Sequence, residues 1–149
     1  MIHDWAHNKV FWIGFLGWLA AQLTKVAINL VRGEKFHVRW LIETGGMPSS
    51  HSGGVSALTT AIGFAEGFGS TAFALSFTLA TVVMFDAQTS RRCIGKQAMV
   101  LNAVIDDVYA GKSVTFEKVR AFMGHTPFQV FVGMLIGIGV AIGLHHLWK

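Results

Sequence analysis

The chain has 149 residues, a normal length for one domain, of which 52% are hydrophobic and only 13% charged, and its mean hydropathy is +0.51. A soluble domain carries about 25% charged residues, so this composition excludes an ordinary soluble domain and points to a membrane protein. The formal charge of +4 suits basic loops facing phospholipid or cytoplasm; with no nucleic-acid module, repeat or low-complexity segment, nucleic acid is not expected as a partner.

The N-terminal stretch MIHDWAHNK has no strongly basic region, and no small-residue cleavage site follows the first apolar segment, so a cleaved leader is not expected. Residues 10–31 form a run of 22 with one charge, enough to cross a hydrocarbon core of about 30 Å. A basic loop, RGEKFHVRW, leads to the polar decapeptide GGMPSSHSGG at 45–54. Residues 53–65 and 70–85 are shorter apolar runs parted by EGFGS, which predicts a tight helical hairpin whose first arm is marginal in length for a span. In AQTSRRCIGKQAMVLNAVIDDVYAG, the residues Ile94, Ala98, Leu101, Ile105 and Val108 recur at helical spacing and predict an amphipathic helix. KSVTFEKVRAFMGHTP is a polar connector, with a short helix expected from Thr115 and a cap at Gly124. Residues 127–147 form the last span, with proline in the first turn. The expected fold is all-α: a single domain over 1–149, an integral membrane helical bundle with about four spanning segments plus the amphipathic helix. The lone Cys93 excludes an internal disulfide and a cysteine metal cluster.

A hairpin that crosses twice brings Arg32, His51, Arg91 and His125 to one membrane face. Of the twelve Lys and Arg residues, only Lys9 and Lys149 fall near the other face, so the positive-inside rule places the crowded face in the cytoplasm. Lys25 lies inside an otherwise uncharged span, where an ionised side chain costs a few kcal/mol unless it snorkels or finds a partner. Arg32 follows on the same helical face about 10 Å further along, so both cations can reach a common anion; simple snorkelling is the plainer alternative. Glycines and serines before a helix present backbone N–H groups to an anion. Ser49, Ser50 and Ser52 add hydroxyls, and His51 adds a proton exchangeable near neutral pH; an ordinary helix cap is the alternative there. Arg91 and Arg92 suit bidentate phosphate binding, or simply a basic interface. His125 precedes the last span. No carboxylate cluster accompanies these residues, so neither a metal nor another cofactor is expected. Phosphoryl transfer without metal needs cations, a nucleophile and an acid for the leaving group. Two histidines, with one forming a phosphoenzyme and the other protonating the departing oxygen, fit that inventory.

These residues resemble the motifs of the type 2 phosphatidic acid phosphatase superfamily, which includes vanadium haloperoxidases: KxxxxxxRP, PSGH and SRxxxxxHxxxD. KVAINLVRG supplies the lysine and arginine of the first, with Gly33 in place of proline. PSSHS matches the second, with Ser50 in place of glycine. SRR at 90–92 and HTPFQVFVG at 125–133 resemble the two halves of the third. The segments DAQTSRRCIGKQAMVLN and GHTPFQVFVG are similar to a small, divergent bacterial and plastid branch. The resemblance implies an all-helical bundle with its active-site loops at one end. It also implies that Lys25, Arg32, Ser49 and an arginine at 91 or 92 hold phosphate. His51 would be the general acid and His125 the nucleophile that becomes phosphohistidine. The aspartate that orients this histidine falls at Gln129, whose carbonyl can accept an imidazole N–H without supplying charge; Asp86 would supply a carboxylate if it folds close.

The expectation is a metal-independent lipid phosphate phosphatase of the bacterial inner membrane. Its substrate would be phosphatidylglycerophosphate or phosphatidate for a cytoplasmic site, or undecaprenyl diphosphate for an outward one. The alternative from another class is a catalytically weak membrane protein that binds anionic lipid headgroups. Because the chain is short, a homo-oligomer that completes the bundle is a further expectation. Metal binding through His3 and His7, or His145 and His146, would have too few ligands.

Overall fold

The structure, a computed structural model, describes residues 5–41, 46–108 and 124–148. Five α-helices account for most of them: α1 Lys9–Val31, α2 Ser50–Glu66, α3 Thr71–Gln88, α4 Ser90–Val108 and α5 Pro127–Leu147, with short 3-10 helices at Trp5–His7 and Val38–Leu41. There is no strand among the described residues. The connector from 109 to 123, with its expected short helix, lies outside them.

Four of the helices start where a side-chain oxygen can take an otherwise orphaned N–H. Asn8, Ser49, Ser70 and Thr126 accept from the N–H of Phe11, Ser52, Phe73 and Gln129 respectively. The hairpin expected from the sequence is present, but α2 begins at Ser50 rather than at Gly53. His51 and Ser52 therefore belong to the first turn of a helix and not to a loop. At Thr89 the chain passes almost directly from α3 into α4: the Thr89 N–H donates to the Phe85 carbonyl and the Cys93 N–H to the Thr89 carbonyl.

Among the described residues, three helical stretches are long and apolar enough to cross a membrane: Lys9–Val31, Thr71–Asp106 and Pro127–Leu147. The shorter α2, 17 residues or about 25 Å long, is the middle of the bundle and packs against α1, α3 and α5. Its register is legible from the glycines. Gly14 of α1 faces Leu58 and Gly17 faces Ala57 and Gly53, so α1 runs antiparallel to α2. Gly133 of α5 faces Ser49 and Gly137 faces Gly53, so α5 runs parallel to it. Ile13, Ala57, Ala61 and Ala141 form the apolar core where these three helices meet.

A helix as rich in Ser and Thr as α2 can sit in the middle because its hydroxyls are bonded inside the bundle. Ser56 Oγ donates to the Ser52 carbonyl at 2.6 Å and to the Met134 carbonyl of α5 at 3.1 Å. Thr59 Oγ1 donates to the Val55 carbonyl at 2.8 Å and to the Ser76 carbonyl of α3 at 3.1 Å. Helices in lipid associate through this combination of small residues and hydroxyl bonds. The amphipathic helix expected after the hairpin is α4; it touches the bundle through α3 and leaves Ile94, Leu101, Val104 and Val108 exposed.

A β-carbon at Gly137 would run into the Gly53 carbonyl oxygen and the Ser56 hydroxyl, whereas nothing lies within 4 Å of one at Gly143. Gly137→Ala should therefore destabilise the protein by about 1–3 kcal/mol through overpacking, while Gly143→Ala should be neutral or slightly stabilising. Melting in detergent micelles checks this pair; equal effects would disprove close packing along α5.

Candidate functional site

Antiparallel α1 and α3 end where parallel α2 and α5 begin, and most of the residues singled out in the sequence lie at this end. Three runs at i, i+4 spacing lead there along the packed faces: Gly17, Ala21 and Lys25 on α1; Ala61, Ala57, Gly53 and Ser49 on α2; Ala141, Gly137, Gly133 and Gln129 on α5. Residues four apart share a helix face, so the small residues that bring the helices together also aim Lys25, Ser49 and Gln129 at one place.

Ser49 is the best-fixed member. It is fully buried, and its N–H donates to the Gln129 carbonyl at 3.0 Å. Its Oγ accepts from the Ser52 N–H at 3.3 Å and from the Ser52 hydroxyl at 2.9 Å. With two bonds accepted, its own O–H is left to donate. Ser50 is buried next to it and His51 half-buried. The N-termini of α2 and α5 both contribute partial positive charge at this end.

Lys25 is only 4% exposed. Its Nζ donates to Gln22 Oε1 at 3.4 Å, and its stem lies against Gly46, where a β-carbon would be 3.6 Å from Lys25 Cδ. Gly46 has a φ of +75°, a left-handed conformation that glycine adopts without steric cost. Pro48, after a cis peptide, is buried.

His125 is 3% exposed, and its backbone N–H donates to the Ala87 carbonyl at the end of α3, at 3.0 Å. Burial of the ring, and then the charge of Lys25, hold its pKa below the ordinary value of 6.5; the His51 charge acts in the same direction. The Gln129 side chain and the Gly46 backbone work the other way, yet Nδ1 is buried with no partner at hydrogen-bond geometry. Gln129 is otherwise occupied: its Oε1 accepts from the Thr126 N–H at 2.9 Å, closing a capping box at the start of α5.

Other expected residues are less closely placed. Arg32 is exposed at the C-cap of α1 and makes no side-chain hydrogen bond or ion pair among the described residues. Asp86 is half-buried in the last turn of α3, one residue before the carbonyl that holds His125. Arg91 and Arg92 are in the first turn of α4, and their side chains lie outside the described residues, as does His3. His145 stacks on Phe64 at 4.3 Å. It lines a cavity of about 210 Å³ with Lys9, Ile13 and Trp148, at the opposite end of the bundle from His125. Among the described residues no group of three His, Cys, Asp or Glu side chains is arranged to hold a metal.

Sequence reading missed Gln22 and gave Ser52 a different role. Gln22, 2% exposed, donates from Nε2 to the Trp40 carbonyl at 2.6 Å while it receives Lys25. A glutamine three residues before the one charge of an apolar span was the available signal; its bond to Trp40 was not legible. Ser52 was read only as one hydroxyl donor among three, and here it orients Ser49.

Over residues 6–140 the sequence matches the Divergent PAP2 family. The chain belongs to this family. A relative from Bacillus subtilis (strain 168), described as the uncharacterized membrane protein YuiD, is 35% identical over 139 residues, covering 86% of this chain and 88% of the relative. No solved structure matches. As a divergent PAP2 protein with long apolar helices, the chain is an integral membrane member of a phosphatase-related superfamily.

In a folded micellar sample the His125 ring should titrate below pH 6.5, and Lys25→Met should move its midpoint upward by removing a like charge; NMR of labelled histidine reads both. Between that lowered value and 6.5 the unfolded chain binds more protons than the native one. Stability should thus fall as pH drops through this window, and a His125 midpoint at or above 6.5 would contradict the burial.

Proposed function

We propose that this divergent PAP2 protein is a lipid phosphate phosphatase that works through a phosphohistidine and without metal. The observation that carries the proposal is His125: a buried, neutral imidazole with an unpartnered ring nitrogen, beside the Lys25 ammonium and the start of α2. A buried polar atom without a partner is costly, and a nucleophile must keep its lone pair free.

In this reading Lys25, Ser49, Ser50 and the N–H groups opening α2 bind the non-bridging oxygens, with Arg32 and an arginine at 91 or 92 completing the cradle. The free nitrogen of His125 attacks phosphorus, and the bond from phosphorus to the lipid oxygen breaks. His51 gives its proton to that oxygen. Water then attacks the phosphohistidine, neutral His51 takes the proton, and orthophosphate leaves with the electron pair of the N–P bond returned to His125. Gly46 and Gln129 steady the remaining ring N–H, and Asp86 is the nearest candidate for a supporting charge. A basic cytoplasmic face favours phosphatidylglycerophosphate or phosphatidate in a bacterial inner membrane; an outward face would favour undecaprenyl diphosphate.

One observation favours a second reading, a catalytically weak protein that binds anionic headgroups. Gln129 holds the position of the superfamily's aspartate, and its Oε1 is committed to the Thr126 N–H. A carboxamide cannot stabilise the imidazolium as a carboxylate does.

Phosphate release by purified protein, in detergent with EDTA, separates the two. The phosphatase should turn over at least one of the three lipids despite EDTA. His125→Ala should reduce the rate at least about 10³-fold, and His51→Ala about 10²–10⁴-fold. Undiminished turnover in His125→Ala removes the phosphohistidine; headgroup binding with no turnover by wild type establishes the second reading.

A further inference from the structure

Gln22 occupies a place that neither helix packing nor the three motifs accounts for. It is a carboxamide 2% exposed inside a membrane-crossing helix, where an uncompensated polar group is expensive. Both ends of the amide are used. Nε2 donates to the Trp40 carbonyl at 2.6 Å, and Oε1 receives Lys25 Nζ at 3.4 Å. Trp40 belongs to the 3-10 helix Val38–Leu41, beyond the end of α1, and its own side chain is buried. One side chain therefore ties this segment to the ammonium of Lys25.

We infer that Gln22 is a positioning residue for anion binding: it fixes the Lys25 ammonium toward the site by a neutral hydrogen bond anchored on the Trp40 carbonyl. This rests on the reading of Lys25 as a phosphate-binding residue given above. The chemistry of the amide explains the choice of residue. A carboxylate in the same place would pair with Lys25 and cancel the charge a phosphate needs, and it would set an acceptor against the Trp40 carbonyl, which requires a donor. An aliphatic side chain would leave the carbonyl without its Gln22 donor and remove the Gln22 contact that holds the ammonium. Only a group that accepts at one end and donates at the other holds the cation while leaving its charge available.

The test is binding of inorganic phosphate to purified protein in detergent, read as thermal stabilisation over potassium chloride at matched ionic strength. It uses wild type, Gln22→Met, Lys25→Met and the double variant, with Gln22→Glu as a polar replacement should Gln22→Met not fold. Gln22→Met and Gln22→Glu should each weaken phosphate binding about tenfold. Because Gln22 acts through Lys25, Gln22→Met should add almost nothing on the Lys25→Met background. A merely structural role would lower the melting temperature of the ligand-free protein and leave phosphate affinity unmoved. Unchanged affinity in the Gln22 variants, full additivity with Lys25→Met, or a wild type that phosphate does not stabilise would each overturn the inference. The expected binding pattern without turnover of any lipid would uphold it and remove only the phosphatase reading.

Discussion

At Gly53 the backbone of α2 lies so close to its neighbours that a β-carbon there would be 2.9 Å from Ala21 Cβ, 2.9 Å from the Gly17 carbonyl oxygen and 3.4 Å from the Gly133 carbonyl oxygen. One glycine thus sits where α1, α2 and α5 meet. In a bilayer, apolar surface supplies little drive for helices to associate, so close van der Waals contact and hydrogen bonds must do it. Small residues at i, i+4 spacing on all three helices permit that contact. The bonds from Ser56 and Thr59 to carbonyls of α5 and α3 add to it. The gathering of Lys25, Ser49 and Gln129 at one end depends on this approach, because they extend the same three stripes.

The consequence is electrostatic as much as geometric. Parallel packing of α2 and α5 puts two helix N-termini at one end, where their partial positive charges add to that of Lys25. The antiparallel α3 brings its last carbonyls to the same place, where the His125 backbone N–H takes up that of Ala87, and Gln22 takes up the Trp40 carbonyl of the 3-10 helix beyond α1. Lys25 and the two helix N-termini therefore surround a buried histidine whose pKa is held below its ordinary value. Such a region favours an anion that can enter. A histidine kept unprotonated by burial and by a neighbouring ammonium retains the lone pair that covalent catalysis requires.

A bilayer also explains why so many large apolar side chains are exposed. Leu75, Phe77, Leu79, Val82 and Phe85 of α3 are all solvent-facing in the isolated chain, as expected of a helix that meets lipid on its outer side. Of the four helices packed together, α1, α2, α3 and α5, the one richest in Ser and Thr is α2, and it lies between the other three. The division gives the Ser56 and Thr59 hydroxyls carbonyl partners on α5 and α3 and leaves the outer surface of α3 to hydrocarbon.

Much of this was legible without coordinates, wherever the signal was local. The spans at 10–31 and 127–147 follow from long apolar runs and the hairpin from the EGFGS break, and a helix cap was the alternative reading of the serines at 49–52. Even the grouping of Lys25, His51 and His125 at one end needs only the count of crossings. The tertiary structure decided what depends on residues far apart in the chain. Helix α2 is central because Gly17, Gly53 and Gly137 come into register. The Ser49 backbone is held by Gln129, and His125 by Ala87. Gln129 closes a capping box on its own helix through a local bond as well as acting on the His125 imidazole. Gln22 reaches Trp40 only because the chain turns back after α1. Periodicity and capping are properties of neighbouring residues and are written in sequence. Register between helices is set by how closely two backbones can approach, and that is known only once both are in place.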